Sequence, residues 1–358
     1  MNTENRKLRI AILFGGRSPE HDVSVMSATN VMAALDPEKY DPLPVFVTRD
    51  GRWIQSTFAD GALARPEEGF EIALIPVGKG RAVALGPDGA VEALDPIDIL
   101  FPVLHGLHGE DGAVQGLASV ADVPLAGCGI AGSANALDKD LAKRLLREAG
   151  IAVANGTTMR AGEAPDFVLL ERALGLPFFV KPARQGSSVG VSKVTDAEAY
   201  ARALDEGFAH DDKLLAEAFI KGREIELSVL EDEVGNLFVS RPGEIAPAES
   251  HGFYSYDAKY VDAEGAAILV PADVPEELEN ALRDTAAMAF RAVGCDGMAR
   301  VDFFVTGDGT YLVNELNTIP GFTDISMYAK AMAASGVSYP EVIDRLVAHG
   351  LARAGRLR

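Results

Sequence analysis

The alternation of apolar and polar positions divides the 358-residue chain into recognisable segments. "LRIAILFGG", beginning at Leu8, holds an apolar run of strand length, and "VSVMSATNVMAAL" after it carries helical spacing. "DPLPVFVT" and "DILFPVLHG" read as further strands separated by helical or loop material, which predicts an α/β domain with a mainly parallel sheet. Residues 50–95 are rich in Gly, Pro and short β-like pieces and read as an insertion on that domain. From Ser133 the texture changes: "ALDKDLAKRLLREAG" predicts a helix with basic residues late and Gly150 as its stop. "LPFFVKPARQGSSVGVSKV" then reads strand–loop–strand, and "KLLAEAFIKGREIELSVL" strand–hinge–strand. These breaks predict three domains, residues 1–135, 136–220 and 221–358, the last ending in a closing helix.

Near the end of the chain, "ARVDFFVTGDGTYLVNELNTIPGFT" sets charged and polar residues at alternate positions of apolar strands. Asp308-Gly309 is a favoured two-residue hairpin turn. With that loop, Asp302 faces Glu315 and Arg300 faces Asn317. Val301, Phe303 and Val305 then oppose Leu312 and Leu316 on an apolar face. Two carboxylates about 5 Å apart repel by about 3 kcal/mol at an effective dielectric of about 20. A cation removes that penalty, and the oxygens of Asp302, Glu315 and Asn317 suit Mg²⁺, which takes its remaining ligands from water and phosphate. The plain alternative is a solvated strand face on which Arg300 neutralises the acids.

"VKPARQGSSVG" puts Lys181 at a strand end before a Gly/Ser loop. Gly186 and Gly190 allow close backbone approach to an anion, and Ser187 and Ser188 add hydroxyls. The chain contains no Walker A loop. Glu217, at the end of an apolar strand, offers a hydrogen-bonding edge for a purine, and Glu224 one for a ribose hydroxyl. A nucleoside triphosphate is the occupant these features predict together.

The net charge of −20 argues against a nucleic-acid binder. Two cysteines, Cys128 and Cys295, cannot form a disulfide framework and fit a reducing cytoplasm. The first apolar run is too short for a signal peptide, and no run reaches the roughly 18 residues of a membrane span. "GCGIAG", starting at Gly127, matches G-x-G-x-x-G but comes late in the first domain, so a packing or inter-domain turn is expected rather than an NAD site. "HGLHGED" offers His105, His108, Glu110 and Asp111 as a rival zinc set, without the helical spacing that such sites use.

In order along nearly the whole chain, "FGGRSPEHDVS", "LHGLHGEDGAVQG", "GSANALDKDLAK", "VKPARQGSSVGVSKV", "FYSYDAKY", "ARVDFF" and "NELNTIPGFT" resemble the D-alanine–D-alanine ligase family of the ATP-grasp superfamily. The resemblance implies an α/β fold, α+β in its ATP-binding part. It also implies phosphorylation of one D-alanine by ATP and attack by the amine of a second, in the making of a peptidoglycan precursor. Lys139, Lys181, Gly186 and Ser188 would hold ATP phosphates, with Glu217 and Glu224 on adenine and ribose. Asp302, Glu315 and Asn317 would bind two Mg²⁺ ions, Mn²⁺ substituting. Arg300 and the Gly321 N–H would stabilise the tetrahedral intermediate. Glu20 and His105 would meet the first D-alanine, and Ser326 and Met327 the carboxylate of the second. Ser187, Lys259 and Tyr260 would tie the phosphate loop to a lid at "HGFYSYDAKY". Tyr260 favours an amino acid over D-lactate as the second substrate. A cytoplasmic homodimer without nucleic-acid or membrane partners is the remaining expectation.

Overall fold

The computed structural model describes residues 6–247, 266–323 and 325–356. Three sheets carry the fold. In the first, Leu8–Gly15 lies between Tyr40–Val47 and Ile99–Pro102, and both pairings are parallel. The helix His21–Ala34 follows the first strand and packs back onto it. Residues 50–95 extend this sheet through Trp53–Gln55, Glu71–Leu74, Ala82–Leu85 and Val91–Ala93, every added pairing being antiparallel. The parallel arrangement expected for the sheet is therefore confined to the three strands at one end of it. Antiparallel strands need only short connections, whereas parallel ones need long crossovers, and the stretch is too short for crossovers.

The second sheet has four strands in the order Gly156–Arg160, Lys213–Ala218, Phe178–Pro182, Ser192–Val194. The helix Lys139–Glu148 leads into it. Its N-cap is Asp138, whose carboxylate accepts the Leu141 N–H at 3.1 Å. Gly150, at φ +74°, stops the chain beyond its end.

The third sheet is built on Arg223–Glu231 and the hairpin Met298–Val305/Tyr311–Asn317, backed by the helix Glu276–Val293. The hairpin departs from expectation at its turn. Thr306 N–H donates to Thr310 O at 2.8 Å, so the loop is Gly307–Gly309 rather than two residues. That shifts the register by one, and a bulge at Asn314 shifts it back. Arg300 consequently faces Asn317 and Asp302 faces Glu315, as expected, while Phe303 pairs with Val313. Val313, not Leu312, joins Val301, Phe303 and Leu316 in the core.

One apolar cluster joins the first sheet to the end of the chain. Phe14 and Phe101 pack with Phe322, Tyr328 and Met332, and with Ile343 and Leu346 of the helix Tyr339–Arg356. Phe322 follows the Pro320-Gly321 turn and is 1% exposed, its ring 5.1 Å from Tyr339 and 6.3 Å from Phe101. The strand carrying Glu315 and Asn317 is thus anchored in the first sheet's core immediately after it ends.

Candidate active site at the junction of the sheets

One cavity of about 270 Å³ lies where the first sheet's loops, the phosphate loop and the hairpin meet. Its wall includes Glu20, His105, Lys139, Gly186, Ser187 and Arg300. Glu315, Asn317, Gly321, Ser326 and Met327 complete the part foreseen in the sequence.

The hairpin supplies the acidic side. Arg300 binds Asp302 through two bonds, Nε to Oδ1 and Nη2 to Oδ2, both 2.7 Å, and its Nε lies 2.9 Å from Glu226 Oε2 on the neighbouring strand. Burial opposes the charge of this guanidinium, but Asp302 and Glu226 more than restore it and hold its pKa well above the ordinary value. Asn317 Nδ2 donates to Asp302 Oδ2 at 3.1 Å, leaving the amide oxygen for another partner. Lys139 Nζ reaches Glu315 Oε2 at 3.3 Å and donates to Gln185 O at 2.8 Å, joining the hairpin to the phosphate loop. Among the described residues no three His, Cys, Asp or Glu side chains converge as a metal cluster. The donor set is two carboxylates and an amide oxygen, hard ligands that leave positions for phosphate and water and so fit Mg²⁺.

The phosphate loop is strained where it nears Glu20. Ser187 and Ser188 sit at φ +49° and +59°, in the left-handed region that non-glycine residues rarely adopt. Ser187 Oγ donates to Glu20 Oε1 at 2.5 Å. Gly190, at φ +68°, has no room for a side chain, because a Cβ would come within 2.9 Å of His210 and Pro182.

Lys181 and Glu217 stand together but are not part of this cavity's lining, and a third group that the sequence pattern did not reveal joins them. Lys143, one helical turn beyond Lys139, places Nζ 2.9 Å from Glu217 Oε1, while Lys181 Nζ is 2.5 Å from Oε2. Burial pushes the Glu217 carboxyl up, but the two ammonium groups outweigh it and hold the pKa at about 2. Burial lowers Lys143 to about 8 despite its carboxylate partner. Spacing of four residues from Lys139 was the available signal for Lys143. Glu226, two residues after Glu224 on the same strand face, was missed likewise, and it lines the cavity where Glu224 does not. Ser188 and Asp302 are also absent from the lining, Asp302 acting through Arg300 and Asn317.

On the first sheet's side, His105 is buried, with Nδ1 donating to Ile319 O at 2.9 Å and Nε2 3.4 Å from Ser27 Oγ. Burial lowers its pKa against the pull of Glu20, so the ring is neutral near pH 7. Glu110, named from the sequence only in the rival zinc set, lines the cavity in another role. Its Oε2 accepts Gly106 N–H at 2.8 Å and its Oε1 accepts Ile319 N–H at 3.0 Å, and burial raises it to about 7. His108 is half-exposed at φ +68°, and His105 and Glu110 are spent on backbone groups of the turn after the hairpin, so the rival zinc set is not assembled. Ser326 is the N-cap of the helix Met327–Ala334, and its Oγ accepts the Thr323 N–H at 3.1 Å. The expected lid, with Lys259 and Tyr260, lies outside the described residues.

The family model for the D-ala D-ala ligase N-terminus matches residues 9–128, and that for the C-terminus matches residues 145–348. The chain belongs to the D-ala D-ala ligase family. "D-alanine--D-alanine ligase A" of Brucella suis is 66% identical over 347 residues, covering 97% of this chain and 98% of that protein. The protein of the same name from Mesorhizobium japonicum is 58% identical, covering 97% and 98%. Among solved structures, the D-alanine-D-alanine ligase from Coxiella burnetii superposes with a TM-score of 0.83 at 33% identity, covering 98% of this chain and 96% of that one. VanG D-Ala:D-Ser ligase from Enterococcus faecalis gives 0.82 at 32% identity, covering 96% and 100%. The ligase fold is therefore ATP-grasp, and the G-x-G-x-x-G match is a packing turn. A Cβ on Gly132 would stand 2.5 Å from Gly294 O and 2.6 Å from Cys128 Sγ.

Proposed function

We propose that this ligase joins two D-alanines at the expense of ATP, making D-alanyl-D-alanine for a peptidoglycan precursor through a D-alanyl phosphate. The observation that carries the reading is one cavity bordered by Lys139, Gly186 and the strained Ser187 on one side and by Arg300, Glu315 and Asn317 on the other. A carboxylate is a poor electrophile, and phosphorylation gives it a good leaving group, provided that charge is neutralised and water kept out.

Lys139, Lys181, Gly186 and Ser188 would bind the phosphates. Glu217 would turn its remaining lone pairs to adenine, since two lysines do not exhaust a carboxylate's four acceptor positions, and Glu224 would meet the ribose. Two Mg²⁺ ions, or Mn²⁺, would be held by Asp302, Glu315 and Asn317 and would supply charge neutralisation to phosphate oxygens. Glu20 would accept the ammonium of the first D-alanine while its bond to Ser187 keeps the phosphate loop over it. Neutral His105 would pack beside that substrate. Arg300 and the Gly321 N–H would donate to the oxyanion formed when the second amine attacks. Ser326 and the Met327 N–H, at the positive end of the helix Met327–Ala334, would receive the second carboxylate.

Domains dividing near residues 135 and 220, a cytoplasmic setting and a homodimer belong to the same proposal. No helix of the described residues is long and apolar enough to cross a membrane. The similarity to a D-Ala:D-Ser ligase makes the second substrate the point to test. Phosphate release would be followed with ATP, Mg²⁺ and D-alanine, then with D-serine or D-lactate added, and products weighed by mass spectrometry. D-alanyl-D-alanine as the preferred product is expected. Preference for D-serine or D-lactate would overturn the second-substrate assignment, and no phosphate release with any acceptor would overturn the reaction.

A further inference from the structure

The turn that follows the strand Tyr311–Asn317 is held from the first domain by three side chains. Ile319 is bound at both of its backbone polar groups. Glu110 Oε1 accepts its N–H at 3.0 Å, and His105 Nδ1 donates to its oxygen at 2.9 Å. Three residues on, Ser27 Oγ of the helix His21–Ala34 accepts the Phe322 N–H at 3.1 Å. Gly321, whose N–H is the proposed oxyanion donor, stands between these two anchor points.

Glu110 differs from the other two in closing its own loop as well. Its second oxygen, Oε2, accepts the Gly106 N–H at 2.8 Å, and its own N–H donates to Gly106 O at 2.8 Å. The residue is buried, and a backbone donor engages each carboxylate oxygen. One carboxylate therefore bridges Gly106, which adjoins His105, to Ile319, 209 residues beyond Glu110. That span needs two acceptors. An amide offers only one, and sets an NH₂ group against the other N–H.

We propose, resting on the reaction given above, that Glu110 is a positioning residue whose bridge sets the first D-alanine, beside Glu20 and His105, against the Gly321 N–H. A misplacement of about 1 Å between reacting groups costs on the order of 10²-fold, so the bridge bears directly on turnover. The charged and titratable groups around it are the Glu20 carboxylate, the Arg300 guanidinium and the neutral His105 ring, which shares Ile319 with it. Burial first, and then Glu20, raises the Glu110 carboxyl from 4.5 to about 7, against the pull of its two N–H partners and of Arg300. The ionised form, which accepts both N–H groups, is therefore lost as pH falls through 7.

The test compares full-length Glu110→Gln with the wild type in kcat/KM for D-alanine, at saturating ATP and Mg²⁺, between about pH 6 and about pH 8.5. At the alkaline end the variant should be about 30-fold slower, the loss of one hydrogen bond to a charged group, with KM for ATP unchanged. Toward about pH 6 the wild-type advantage should shrink to about fourfold, because its carboxyl there becomes neutral like the amide. Loss of folded protein would scale kcat alone and leave KM and the pH dependence as they are. Glu110→Asp keeps the charge but is one methylene short of the span. It should lose activity yet retain the fall toward acid pH, and it carries the test if Glu110→Gln does not fold. Glu110→Gln within about threefold of wild type at about pH 8.5, a ratio constant across the range, or full activity in Glu110→Asp would each overturn the inference and leave the ligase reaction standing. No phosphate release by the wild type with any acceptor would overturn the reaction, and the inference with it.

Discussion

Two clusters of buried charge, joined by Lys143 and Lys139 one turn apart on the helix Lys139–Glu148, are built in opposite senses. Beside the four-stranded sheet, Glu217 is enclosed by Lys143 and Lys181, a set with one net positive charge. On the hairpin, Asp302, Glu315 and Glu226 outnumber Arg300 and Lys139, a set with one net negative charge. The first closes on itself, with both carboxylate oxygens held by ammonium groups. The second leaves the Asn317 oxygen and part of Glu315 turned to the cavity. On the proposed reading, similar side chains make a seat for an anion in one place and for a cation in the other. A triphosphate with its metal ions needs both.

That contrast separates chemistry from stability. Glu315→Gln removes a ligand from the open cluster, and turnover should fall on the order of 10³-fold with the melting temperature unchanged. Near-normal phosphate release by this variant would break the assignment of the cation seat. Lys143→Met acts on the closed cluster, leaving buried Glu217 with one cation, and should lower the unfolding free energy by about 3 kcal/mol in denaturant titration. An unchanged midpoint would mean that Lys181 alone compensates Glu217.

The acid limb probes the closed cluster without a new cavity. The Glu217 pKa of about 2 lies below its ordinary value of 4.5, so its stabilisation is complete above pH 4.5 and is lost as pH falls through 2. The amount is no more than about 3 kcal/mol. Glu217→Gln should flatten the dependence of stability on pH in that window, and an identical slope in the variant would contradict the shift. A smaller effect tests the hairpin bulge. Val313→Ala should cost about 2 kcal/mol, because Val313 is in the core, whereas Leu312→Ala should cost less than about 1. Reversed costs would mean that the register runs from the turn without the bulge at Asn314.

What the sequence revealed follows from how local each determinant is. The strand Leu8–Gly15, the helix Lys139–Glu148 and the Gly150 stop depend on neighbours within a few residues, and all were legible. The hairpin's facing pairs were read correctly for an incomplete reason. A three-residue loop and a one-residue bulge cancel at Asp302 and Glu315, but not at Leu312. Lys143 and Glu226 were not picked out, and Glu110 was named only in the rival zinc set, since their roles exist only where separate elements meet. Glu110 reaches Ile319, 209 residues away, and no periodicity carries that information. The outer strands of the first sheet were anticipated as an insertion, yet their antiparallel pairing rests on connection length rather than on pattern.

The central claim is that this cavity activates a D-alanine carboxylate by phosphorylation, and labelling the carboxylate tests it most directly. D-Alanine carrying ¹⁸O in both carboxyl oxygens would be turned over with unlabelled ATP and the released phosphate analysed by mass spectrometry. The account predicts one ¹⁸O atom in the phosphate formed with each dipeptide, carried over when the acyl–oxygen bond breaks. Dipeptide formed with unlabelled phosphate would contradict it.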